Sequence, residues 1–155
     1  MLLRWVISFA AILCFSGGYA FAQTDENVSI GDLKVRLWYE ATGRLSEDVS
    51  APDFPLWNSI IGEGGAEEPA NDVLVTVEVV GSGGHQNVTT PLLVTLDRDD
   101  QNSMTFVSDG LFIDSNGRTT KGFWIQDLTC AGPVKITARI GTQTKTLSVN
   151  FDCGE

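Results

Sequence analysis

His85 is the one histidine in the chain, and it stands in the glycine-rich run Gly81-Ser82-Gly83-Gly84-His85-Gln86-Asn87. A Ser-His-Asp hydrolase would have to use it, and serines and aspartates are plentiful, yet no G-x-S-x-G turn presents a nucleophile. An exposed loop histidine is the simpler reading. The glycines are not a phosphate cradle either, because G-x-x-x-x-G-K-[ST] and G-x-G-x-x-G are both missing. Carboxylates act without histidine in glycosidases, and Glu63, Glu67 and Glu68 are close in the chain. That chemistry needs two acids facing each other across a cleft at a set distance, which closeness in a connecting segment does not supply. The run Asp97-Arg98-Asp99-Asp100-Gln101-Asn102 offers the oxygen ligands calcium prefers, without EF-hand spacing, so Asp97, Asp99 and Asp100 are candidates by ligand type alone. Asp114-Ser115-Asn116-Gly117 is better read as a turn. No catalytic residue is assigned, and no cofactor is expected.

The cysteines carry more information. Residues 1–22 have the three parts of a secretory signal: a cation at Arg4, an apolar run from Trp5 to Phe15, and the small-residue exit Ala20-Phe21-Ala22. Cleavage before Gln23 removes Cys14 and leaves 23–155 as a single domain, with no insertion into the membrane expected afterwards. The compartment expected is the periplasm, with secretion outside the cell as the alternative; Asn27-Val28-Ser29 and Asn87-Val88-Thr89 would then be glycosylation sequons in a eukaryotic host. Cys130 and Cys153 remain, an even pair in an oxidising compartment, which favours a disulfide. Between them Val134, Ile136, Ala138 and Ile140 alternate on one face, followed by Lys145, Leu147, Val149 and Phe151. Gly141-Thr142 has the form of a two-residue type II′ hairpin loop, which sets Ile140 opposite Gln143. Counting back from that turn pairs Ile136 with Leu147, Val134 with Val149 and Gly132 with Phe151. The next pair is Cys130 with Cys153. Directly opposed strand residues lie at separations a disulfide spans.

Other runs alternate in the same way. Leu33, Val35, Leu37 and Tyr39 read as the inner face of a strand whose outer face carries Lys34, Arg36, Trp38 and Glu40. Val73, Val75, Val77 and Val79 form a second face, and the run from Val88 to Asp97 a third, with Pro91 marking an edge or a bulge. Met104 to Val107, Leu111 to Ile113 and Arg118 to Gln126 follow as shorter candidates. No window keeps a helical period. The expected fold is an all-β, antiparallel, immunoglobulin-like β-sandwich of about seven to eight strands.

Charge narrows the partners. Twenty acidic residues against ten basic ones give a formal charge of −10, which disfavours nucleic acid. Residues 40–72 concentrate eight acids against Arg44 alone, whereas 118–150 are mildly basic, so either solvation or electrostatic docking of the acidic segment is expected. The same segment contains Phe54, Leu56, Trp57 and Ile60 in a proline- and glycine-rich connection. These apolar groups either cap one end of the sandwich or face a partner, since aromatic anchors within a polar rim have the character of binding hot spots. The leading expectation is an exported, noncatalytic module that binds or supports another protein. The alternatives are a small carboxylate-dependent hydrolase and a carrier of a metal ion or small ligand.

Overall fold

The computed structural model describes residues 27–82, 85–98 and 103–154; residues 1–22, expected to be a leader, with Cys14, and the metal candidates Asp99 and Asp100 lie outside the described residues. Ten strand segments follow in chain order: β1 (Val28–Tyr39), β2 (Arg44–Leu45), β3 (Val73–Gly81), β4 (Gln86–Val88), β5 (Leu92–Arg98), β6 (Met104–Ser108), β7 (Leu111–Ile113), β8 (Arg118–Ile125), β9 (Gly132–Ile140) and β10 (Gln143–Phe151). All pairings are antiparallel, in one sheet of order β2-β1-β3-β8, a second of order β10-β9-β5-β6, and a ribbon of β4 with β7. One 3-10 turn, Ser59–Ile61, is the only helical element among the described residues. The chain is all-β.

Alternation explains why these runs are strands. The odd-numbered positions Leu33 to Tyr39 of β1 and Val73 to Val79 of β3 are buried, and so are Leu92, Val94 and Leu96 of β5 and the even-numbered positions Val134 to Ile140 of β9. Together they form one continuous core shared by the two four-stranded sheets. The β9–β10 hairpin has the register that its turn dictates, from Gln143 opposite Ile140 to Phe151 opposite Gly132. Gly141 takes φ 54° while Thr142 keeps a negative φ, as a type II′ turn requires. Two residues beyond the last ladder pair on each strand, the Cys130 and Cys153 Cα atoms are 5.0 Å apart and the two residues form a disulfide. Cys130 reaches that position with φ 66°.

Two strand boundaries differ from the sequence reading. β1 begins at Val28 rather than Leu33, because Ile30 opposes Val79 while Leu33 opposes Val77. Three steps on β1 match two on β3, a bulge at Gly31-Asp32 that reverses the side-chain parity and interrupts the alternation. The run from Val88 to Asp97 is not one strand: β4 pairs with β7, and the chain changes sheets before β5 starts at Leu92. Pro91 stands at that change, where its missing N–H costs no ladder bond.

Candidate functional site

The connection from Ala51 to Ala70 is not regular structure, yet its backbone is tied at several points. Asn58 donates its N–H to the Asp152 carbonyl at 2.9 Å, Ala70 donates to Ser59 at 3.0 Å, and Gly65 donates to Pro55 at 2.7 Å. Leu56 and Gly64 form an isolated antiparallel bridge. The hydroxyl of buried Tyr39 accepts the Glu67 N–H at 3.0 Å, which fixes the far limb of the loop to β1. Two glycines make this path possible. Gly62 takes φ 77° at the end of the 3-10 turn, and Gly64 takes φ 67° where a Cβ would sit 2.8 Å from the Trp57 nitrogen.

This framework sorts the four apolar candidates into two pairs. Phe54 and Leu56 are partly buried against the core and act as a cap. Trp57 and Ile60 remain 47% and 41% exposed, and Ile61 beside them is 59% exposed. One loop segment therefore holds both core-packed and exposed apolar side chains. Ile61 belongs to the exposed set although its sequence gives no separate signal, because the direction of each side chain depends on the left-handed turn at Asn58, φ 45°. A groove of about 400 Å³ runs beside the ridge, lined by Glu40, Ala41, Ile60, Pro69, Ala70 and Asn71. Trp57 also borders the chain end, since a Cβ on Gly154 would lie 3.5 Å from its ring.

Charge around the ridge is acidic. Arg44, the single cation of the 40–72 segment, donates to Glu68 at 2.6 Å and to Glu67 at 3.4 Å, and Thr42 donates to Glu68 at 3.0 Å. Its guanidinium is held charged above its ordinary range, first by the hydrogen bond to Glu68 and then by that carboxylate's charge. Glu63 instead accepts from the Asn58 side-chain amide at 2.7 Å. Of the three carboxylates considered for hydrolysis, Glu67 and Glu68 are thus bonded to the same Arg44, and Glu63 to the loop itself.

The remaining candidates lie elsewhere. Asp97, at the end of β5, accepts the Ser103 hydroxyl and stands opposite Lys135. Among the described residues no three His, Cys, Asp or Glu side chains gather as a metal site. His85 is exposed and stacks on Phe112, with ring centroids 5.5 Å apart at 22°. Asp114 closes the turn read from sequence, its Oδ1 accepting the Asn116 N–H at 2.8 Å. Among the described residues no helix is long and apolar enough to cross a membrane. Compared with protein-family models and with curated proteins, the chain matches none. The exposed ridge must therefore be interpreted from its own chemistry.

Proposed function

We propose that the chain is an exported, noncatalytic, immunoglobulin-like module of the periplasm that binds another protein through Trp57, Ile60 and Ile61. The observation carrying this reading is that three large apolar side chains stay in water on a loop whose backbone is fixed on both sides. An immobile anchor loses little conformational entropy on association, so its burial contributes to affinity. Three- and four-stranded layers, β1-β3-β8 and β10-β9-β5-β6, support the immunoglobulin-like comparison when the two-residue β2 is set aside. The disulfide supports an oxidising compartment.

The partner segment that suits this surface presents an apolar side chain to the ridge with lysines or arginines around it, complementing Glu40 and the other acids of 40–72. The test is affinity capture from periplasmic extract with the wild type and with an Ile60→Asp/Ile61→Asp double variant. The expected result is one stoichiometric protein, released by high salt and lost with the variant, whose melting temperature is retained. A loss of about 2 kcal/mol, some thirtyfold in affinity, is typical for removing such an anchor. Equal recovery on both proteins refutes the assignment.

A further inference from the structure

The edge of a sheet offers unpaired N–H and C=O groups to another chain, and folded proteins blunt their edges with very short strands, prolines, bulges or charges on the core-facing side. The two four-stranded sheets end in β2, β8, β10 and β6, and the first three of these edges follow that rule. β2 is two residues long and begins with Arg44. β8 has Lys121 opposite buried Val77, and β10 has Lys145 opposite buried Ala138, so each edge carries a lysine on its core-facing parity. Lys145 is further tied to the other sheet, donating to the Gly31 carbonyl at 2.5 Å.

β6 departs from the rule. Met104-Thr105-Phe106-Val107-Ser108 has no charge and no proline, and its pairing with β5 runs from Ser108 to Met104 without a shift. Among the described residues it has no second strand neighbour. Val107 is 56% exposed and Met104 36%, whereas Phe106 packs against the core with its ring centroid 6.4 Å from that of Phe123. The edge is therefore apolar, regular and supported from behind. Its sequence also complements itself. Two antiparallel copies centred on Phe106 set Thr105 of each opposite Val107 of the other, and Met104 opposite Ser108, so strand-forming side chains meet directly. A two-fold axis normal to the sheet at that centre keeps the even-numbered residues of both copies on one face, and the two core-facing sides coincide. Charge permits the same pairing. Asp109 falls opposite Ser103 of the other copy, so two chains of formal charge −10 meet along a stretch where no acid faces an acid.

We propose that β6 pairs with β6 of a second copy, joining two β10-β9-β5-β6 layers into one continuous sheet. So short a ladder buries less than the roughly 1,200 Å² of a standard stable interface, which makes the dimer weak and dependent on concentration. The test is sedimentation equilibrium of the oxidised protein from low micromolar to millimolar concentration, in salt high enough to screen the net charges. A reversible monomer–dimer equilibrium is expected. Thr105→Lys/Val107→Lys places two cations on the exposed outer side of β6 and should weaken dimerisation about tenfold or more while the melting temperature is retained. The Ile60→Asp/Ile61→Asp variant should dimerise as the wild type does, which separates this edge from the protein-binding ridge. Hydrogen exchange of the wild type gives a readout that needs no variant, since β6 amides should gain protection as the dimer forms. A monomer throughout the range, a dimer undiminished by the lysine pair or lost with the ridge variant, or β6 amides that gain no protection overturns the proposal.

Discussion

Replacing Cys130 and Cys153 together by serine tests the covalent part of the fold. Chain-entropy reasoning for a closed loop with a sequence separation of 23 gives a stabilisation of about 3.5 kcal/mol. Nine residue pairs of the β9–β10 ladder remain, and the inner residues Val134, Ile136, Ala138, Ile140, Val149 and Phe151 stay buried, so the variant should still fold. For a domain of this length each kcal/mol moves the melting temperature by roughly 3 to 5 °C, giving an expected drop of roughly 10 to 17 °C. Urea unfolding should show a lower midpoint and a steeper m-value, because an uncrosslinked unfolded chain exposes more surface. Hydrogen exchange adds a local readout. The Asn58 N–H donates to Asp152, next to Cys153, and should lose protection in the variant before the β3 amides do. Identical melting of the variant and the oxidised wild type would refute the view that the cross-link restrains the unfolded chain.

Two further substitutions address the turns. Gly64→Ala places a side chain at φ 67° against the Pro55 carbonyl and the Trp57 nitrogen, and should cost at least 2 kcal/mol, about the strain of a poorly tolerated backbone conformation plus a clash; chemical denaturation checks it, and a loss below 0.5 kcal/mol counts against the described path of the loop. Asp114 has its carboxyl held below the usual aspartate range by the Arg118 N–H first and by Asn116 as well. Because the folded-state value is depressed, this contribution is complete above the unfolded value of about 3.9 and disappears as the pH falls through the folded one. Asp114→Ala should therefore melt below wild type at pH 7, and the gap should close in acid; a gap independent of pH would exclude the carboxylate as its source.

How much of this was readable in the chain depended on whether the deciding contacts were local. The β9–β10 hairpin was fully legible because Gly141 sets the turn, parity sets the faces, and the cysteines fall two residues past the last pair, in the same parity. Inner faces of β1, β3, β5 and β9 were equally plain, since one-sided burial writes a period of two into the sequence. The β1 bulge hid five residues of strand by reversing that period, and continuous alternation across Pro91 concealed a change of sheet. Arg44 to Val49 read as part of an acidic connection, yet it lines the edge of β1: Ser46 Oγ accepts the Leu37 N–H and Asp48 Oδ1 the Val35 N–H. Polar side chains there replace ladder carbonyls, a substitution without a hydrophobic signature. The tryptophan pair on the outer face of the β2-β1-β3-β8 sheet was illegible for a different reason. Trp38 and Trp124 come together only through β3, and nothing near either residue announces the other.

The placement of β10 has a consequence for how the protein is made. Lys145 donates to the carbonyl of Gly31, so β10 contacts β1 across a sequence separation of 114 residues. A nascent chain emerging in order, N-terminus foremost, holds Val28 to Tyr39 without this neighbour until Lys145 has been delivered. Acquisition of the finished shape therefore waits for β10, and truncations that stop before Gln143 should leave β1 without this contact however much of the valine-rich interior they contain.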